Sequence, residues 1–289
     1  INEAYGRFVP HDFLKFLGRE SVVDVKLGDQ IQKEMTILFS DIRSFTTLSE
    51  GMTPQENFSF INSYLKNVSP VIRDNNGFID KYIGDAIMAL FPESADDALK
   101  ASIEMQKQVI IYNKQREING DLPITIGIGL HTGTLMLGTI GESQRMQSTV
   151  IADAVNLASR LEGLTKLYGT GILISEQTLN SLVNPDVYQY RFLDRVTVKG
   201  KKIAVSIYDF FEHESTSLRE LKQLTLERFS TAINLYYQQD FSEARQIFEE
   251  ILELNPDDKA VIFYIKRCEK YQLYGVQEGW QGVEVLEEK

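Results

Sequence analysis

Short apolar runs bounded by polar residues alternate along this chain with longer stretches of helical periodicity, the pattern of strands interleaved with helices. The first run, Thr36-Ile37-Leu38-Phe39-Ser40-Asp41-Ile42, predicts a strand that ends on a carboxylate and leads into Arg43-Ser44-Phe45-Thr46. Thr53-Pro54-Gln55-Glu56 is a capping box with proline at the first helical position, and Phe58, Ile61, Tyr64, Leu65, Val68, Val71 and Ile72 follow at helical spacing. After Asn75-Asn76-Gly77, residues Phe78 to Phe91 predict two β-rich runs turned at Gly84-Asp85, where glycine tolerates a positive φ. Ser94 with Asp97 caps a further helix that ends near Asn119-Gly120. Pro123 to His131 predicts a strand, and Thr132-Gly133-Thr134 a turn into Leu135–Ile140. Residues 149–168 run from strand into helix, followed by Ile172–Ile174, a Ser175-capped helix, and strands over 188–198 and 203–211. This order predicts an α+β fold with a ferredoxin-like βαββαβ core, an antiparallel sheet with helices on one face.

Residues 217–274 change character and read as helical throughout. Ala232, Ala244, Phe248 and Pro256 fall where a tetratricopeptide-like repeat beginning near Thr225 sets small, aromatic and proline positions, although Arg228 and Thr231 stand where apolar residues are usual. One such repeat cannot bury its own face, so this extension is expected to dock on the preceding domain or on a partner. Residues 275–289, with three glycines, four glutamates and the single Trp280, read as a flexible tail.

Composition narrows the class. The 289 residues allow one large or two smaller domains with ample core. There is no apolar run of eighteen residues, so no membrane span is expected. The chain starts at Ile1 without a signal-peptide pattern and is expected to lack an upstream part. A single cysteine, Cys268, suits a reducing compartment, and a cytoplasmic location is expected. The net charge of −11 argues against nucleic-acid binding, and any polyphosphate ligand would need metal ions or a few placed cations.

If the Thr36–Ile42 strand and the Phe78–Phe91 hairpin are neighbours, Asp41 and Asp85 meet at one edge and form a site for hard cations such as Mg²⁺; read singly, each is an ordinary turn residue. Gly127-Ile128-Gly129-Leu130-His131 lacks the third glycine of a dinucleotide loop and opens no helix, so its glycines read as close-packing positions and His131 as a packing residue. Asn156 and Arg160, four apart, share one helix face, which alone would read as solvated. Lys199-Gly200-Lys201-Lys202 reads as a basic hairpin tip.

Taken together these segments, over roughly residues 34–211, resemble the class III purine nucleotide cyclases, and most closely their adenylate cyclases. The resemblance implies a catalytic domain over 34–212, preceded at 1–33 by a segment that either couples it to a missing upstream sensor or packs as an arm. It implies that Asp41 and Asp85 hold two Mg²⁺ or Mn²⁺ ions per site. Asn156 would orient the ribose, Arg160 would meet the phosphates, and Lys199, with Lys201 as fallback, would bind the triphosphate. Lys81, four residues before Asp85, matches the lysine that donates to a ring nitrogen of adenine, where guanylate cyclases carry Glu. Its alternative partners are Asp85 and Asp80. Thr149 takes the second base-reading position and resembles the bicarbonate-stimulated subgroup. Thr134 departs from members with Arg there.

The reaction so implied turns ATP into 3′,5′-cyclic AMP and pyrophosphate. Lys81 and Asp85 are too close along one hairpin to meet both ends of one ATP, so a homodimer is expected. In it, Asp41 and Asp85 of one chain face Lys81, Thr149, Asn156, Arg160 and Lys199 of the other. A diguanylate cyclase would want a Gly-Gly-Asp/Glu-Glu-Phe turn in place of Ile83-Gly84-Asp85-Ala86-Ile87. The remaining alternative is a catalytically silent nucleotide-binding dimer that signals through the helical tail.

Overall fold

The computed structural model describes residues 10–142, 145–197 and 204–283. A short helix α1 (His11–Phe16) precedes β1 (Gln30–Ile42), α2 (Phe45–Ser49) and α3 (Pro54–Asp74). The β2 (Phe78–Ile83) and β3 (Ala86–Phe91) hairpin leads to α4 (Ala95–Ile118), β4 (Ile126–Glu142), β5 (Arg145–Ile151) and α5 (Asp153–Tyr168). Then come β6 (Ile172–Ser175), α6 (Glu176–Asn180), β7 (Tyr190–Thr197) and β8 (Ala204–Phe210), and the helices α7 (Thr216–Tyr237), α8 (Phe241–Leu254) and α9 (Lys259–Tyr274). The strands form one sheet in the order β2-β3-β1-β4-β6-β8-β7, with β5 paired to β4 off this path. Its β2-β3-β1-β4 part is the expected ferredoxin-like core; β4 and β6 run parallel, the other neighbours antiparallel.

Local chemistry accounts for most boundaries. The Thr53/Glu56 capping box forms in full at the start of α3. Ser94 caps α4 by accepting from Asp96 N–H, so the partner is Asp96 rather than the expected Asp97. The expected turn at 132–134 does not form. Thr132, Gly133 and Thr134 stay in β4 opposite Thr36, Met35 and Glu34. β-Branched threonines favour the pleat, and the Thr132 hydroxyl bonds across to Thr36 at 2.8 Å. The pairing also reaches further back than residue 34, since β1 already starts at Gln30.

Helices cover both faces of the sheet, not one. Leu38, Ile42, Ile87, Ala89 and Phe91 pack against α3 and α4 on one side. On the other, Met35, Ile37, Phe39, Met88 and Leu90 pack against α5 and against Phe13 of α1. Here the helix backbone lies directly on the strand. A Cβ on Gly129 would stand 2.2 Å from Glu162 N and 2.5 Å from Ala158 O, which only glycine avoids.

The terminal helices dock on the same face as α5. Phe229, Tyr236, Phe248 and Tyr264 share one buried cluster with Leu161, Tyr168, Leu193 and Ile207. Buried polar links add direction to this apolar contact. Asp194 accepts from Arg267 at 2.6 Å and from Tyr237 at 2.9 Å, while Arg191 bridges Asp209 at 3.1 Å and Asp258 at 2.7 Å. Of the expected flexible tail, the described residues 275–283 include an anchored ring. Trp280 packs edge-on against Tyr236, Phe241 and Tyr271 with ring centroids 5.4–5.6 Å apart, because one apolar ring completes a cluster that three helices leave open.

Candidate active site

Asp41 and Asp85 converge. β1 pairs with β3, so the Gly84-Asp85 turn of the hairpin falls beside the end of β1. Gly84 holds φ +64°, the conformation that lets the chain reverse in two residues. The Ile42 amide donates to Asp41 Oδ1 at 3.0 Å and to Asp85 Oδ2 at 3.3 Å. Burial, then contact with the Asp85 carboxylate and the charges of Asp85 and Glu162, push Asp41 up to about 8. Among the described residues no three His, Cys, Asp or Glu cluster around a possible metal. Two converging carboxylates nonetheless fit a divalent cation, which takes its other oxygens from water and phosphate.

Two further residues border this pair. Arg43 follows the end of β1, two residues beyond Asp41, and its Nη2 donates to Thr170 O at 2.6 Å. Burial lowers its pKa, while Glu162 and Asp41 raise it. Glu162 of α5 is pushed up to about 7, by burial first, with Arg43 opposing and Asp85 adding. Gly127, opposite Asp41 in β4, leaves the space that Glu162 Oε1 and Arg43 Nη2 border. Sequence reading missed both residues. The two-residue offset from Asp41 pointed to Arg43, but a glutamate on a polar helix face carried no signal.

The other predicted positions lie apart. Asn156 is exposed and Arg160 half-buried, together on the outer side of α5. Thr149 stands opposite Gly138, eleven residues further along β4 than Gly127, the partner of Asp41. At about 3.4 Å per residue that is roughly 37 Å of strand. Lys81 stands opposite Met88, which stands opposite Phe39, so the ladder alone does not set Lys81 beside Thr149. Lys81 Nζ lies 3.3 Å from Asp80 Oδ2, the second of its expected alternative partners. Lys199 and Lys201 lie outside the described residues. His131 is buried with Nδ1 2.7 Å from Ser175 Oγ, a packing role as predicted. Among the described residues no helix is long and apolar enough to cross a membrane.

Comparison with known proteins agrees with this geometry. Residues 28–211 match the family described as "Adenylate and Guanylate cyclase catalytic domain". An adenylate cyclase of Anabaena cylindrica is 46% identical over 213 residues, 72% of this chain and 42% of that protein. The terminal-differentiation-specific adenylate cyclase of Dictyostelium discoideum is 39% identical over 276 residues, 93% of this chain but 13% of that protein. The chain thus spans less than half of either relative. The crystal structure of the adenylyl cyclase CyaB from P. aeruginosa superposes with a TM-score of 0.56 at 34% identity, covering 63% of this chain and 95% of that one.

Proposed function

The chain belongs to the adenylate and guanylate cyclase catalytic domain family, and from that premise we propose that it is an adenylate cyclase. It forms 3′,5′-cyclic AMP and pyrophosphate from ATP at two equivalent sites of a homodimer. The observation that carries this reading is the convergence of Asp41 and Asp85 on the Ile42 amide.

The reaction is an in-line attack of the ribose 3′-hydroxyl oxygen on the α-phosphorus; the hydroxyl proton is released to water, the bond to the bridging oxygen of the β-phosphate breaks, and pyrophosphate departs. Two Mg²⁺ or Mn²⁺ ions, held by Asp41 and Asp85, would supply Lewis-acid charge to the hydroxyl and the phosphates. Asn156 of the partner chain orients the ribose. Arg160 of that chain offers its guanidinium to the negative charge on the oxygens of the transferring phosphoryl group. Lys199 or Lys201 holds the triphosphate. The 37 Å of strand between the Asp41 and Thr149 levels supports dividing these roles between two chains.

Lys81 reads the base by donating to a ring nitrogen of adenine, with Thr149 as the second base-reading residue. Lys81→Glu with Thr149→Cys exchanges a donor for acceptors and should move kcat/KM from ATP towards GTP. Thr149 also suggests activation by bicarbonate. With chloride as the ionic-strength control at fixed pH, bicarbonate should raise kcat, and a flat response removes that part of the reading.

The purified protein, given ATP or GTP with Mg²⁺ or Mn²⁺ and assayed for cyclic product, tests the whole. Cyclic AMP from ATP is expected. Tight nucleotide binding without product would return the protein to the silent-dimer alternative.

A further inference from the structure

The β2 strand carries an irregularity at one place, and it decides where Lys81 points. Ile79 pairs with Ala89 and Lys81 with Met88, so two steps along β2 answer one along β3, a β-bulge with Asp80 as the extra residue. The faces follow from the packing. Phe78 belongs to the core on the α5 side and Ile79 packs on the α3–α4 side. Strict alternation would then send Lys81 into the α3–α4 core. Instead Tyr82, three residues after Ile79, reaches Ser69 of α3 at 3.1 Å. Lys81 falls opposite Met88, whose side chain lies on the α5 side with Phe39. Asp41, two residues after Phe39 in β1, is on that side too. The bulge is therefore what brings Lys81 to the face of the sheet that carries the carboxylate pair.

The residue that makes the bulge is itself charged. The Asp80 side chain is 1% exposed, against 34% for Lys81, and its Oδ2 lies 3.3 Å from Lys81 Nζ. That oxygen accepts no aligned hydrogen bond among the described residues and faces the Lys81 ammonium instead. A buried carboxylate that could have been any small residue in a bulge is costly to keep unless its charge is used.

We propose that Asp80 is the positioning residue for base recognition: its buried carboxylate holds the Lys81 ammonium at a set place on the substrate face, with the remaining N–H groups free for a purine ring nitrogen. This rests on the reading of Lys81 as the base-contacting residue and adds what fixes it. An ammonium on a flexible four-carbon stem is otherwise a poor gauge of one ring atom. Tethered to Asp80, it loses its rotamer freedom in folding rather than in binding, and its charge is already matched beside a neutral base.

Steady-state kinetics of the full chain test it with Asp80→Asn, Asp80→Glu and Lys81→Ala. Asp80→Asn should lower the ATP/GTP ratio of kcat/KM about tenfold, mainly through KM for ATP, with an unchanged dimer. Asp80→Glu, which restores the charge, should recover most of that loss. If Lys81→Ala shifts the ratio and Asp80→Asn does not, Asp80 merely shapes the bulge and the proposal falls while the base reading stands. If Lys81→Ala leaves the ratio alone, the base reading falls and takes the proposal with it. A measurement without variants guards against misfolding of Asp80→Asn. In the dimer crystallised with an unreactive ATP analogue, Nζ must lie within hydrogen-bond distance of both Asp80 and the base. An Nζ that has left Asp80 to reach the base overturns the proposal.

Discussion

Asp41 and Asp85, one on a strand and one on a hairpin turn, share a single donor, the Ile42 amide, at 3.0 and 3.3 Å. Two like charges held on one donor repel each other, which leaves the pair in want of a cation. Asp41→Ala and Asp85→Ala should each lower turnover by on the order of a hundredfold or more, the usual cost of removing one placed electrostatic group. The dimer should stay folded. Turnover above about a tenth of the parent's in either variant would remove the pair from the reaction.

Because the β4 partners of Asp41 and Thr149, Gly127 and Gly138, stand eleven residues apart, sites should be built across two chains. Asp41→Ala and Asn156→Ala chains, each inactive alone, should complement when co-refolded. Random pairing makes about half the dimers mixed, and one of their two sites is intact, so roughly a quarter of the parent activity should return. No recovery in heterodimers verified by mass would mean that each site lies within one chain.

Gly129→Ala sets a methyl group 2.2 Å from the Glu162 amide nitrogen. Backbone on backbone has no rotamer to give, so α5 must shift, at a cost of about 1–3 kcal/mol or more. Urea unfolding reads the loss. Since α5 carries Asn156 and Arg160, turnover should fall with it; a variant of parental stability would show that α5 does not rest on β4.

The docking of α7–α9 depends on a few buried charges. Asp194→Ala leaves the Arg267 side chain, 4% exposed, without its carboxylate. An uncompensated buried charge costs about 3–5 kcal/mol. Adding Arg267→Met should restore part of this, since the two changes share one contact. Equal stability of parent and Asp194→Ala would mean that the Arg267–Asp194 link contributes nothing to the docking.

His213 supplies a pH dependence. Burial first pushes it down to about 4, with Lys222 adding and Asp209 and a backbone contact opposing. The unfolded chain takes up a proton near pH 6.5 and the folded chain only near 4. The contribution of neutral His213 is thus complete above pH 6.5, declines as pH falls, and is gone below about 4. Between pH 7 and 5 it should remove about 2 kcal/mol of unfolding free energy. His213→Asn should lack that slope; an equal slope in both proteins would assign it to other groups.

The sequence by itself determined the elements whose causes are local. The Thr53/Glu56 box, the Gly84-Asp85 turn, the Ser175 cap and the order of the ferredoxin-like core all come from residues within a few positions of one another. Asp41, Asp85, Asn156 and Arg160 were indicated by the resemblance to the class III cyclases, since taken singly the aspartates read as turn residues and the Asn156/Arg160 pair as a solvated helix face. Tertiary structure alone decided the rest. The threonines at 132 and 134 look like a turn until β1 offers them a pairing partner. Trp280 looks unanchored until three helices leave it a place. Glu162 comes beside Asp41 and Arg43 only when α5 lies on Gly127 and Gly129. The side of the sheet on which Lys81 stands depends on one extra residue in β2, because a period of two reverses every later side chain when a single residue is inserted, and nothing in the local composition announces the insertion.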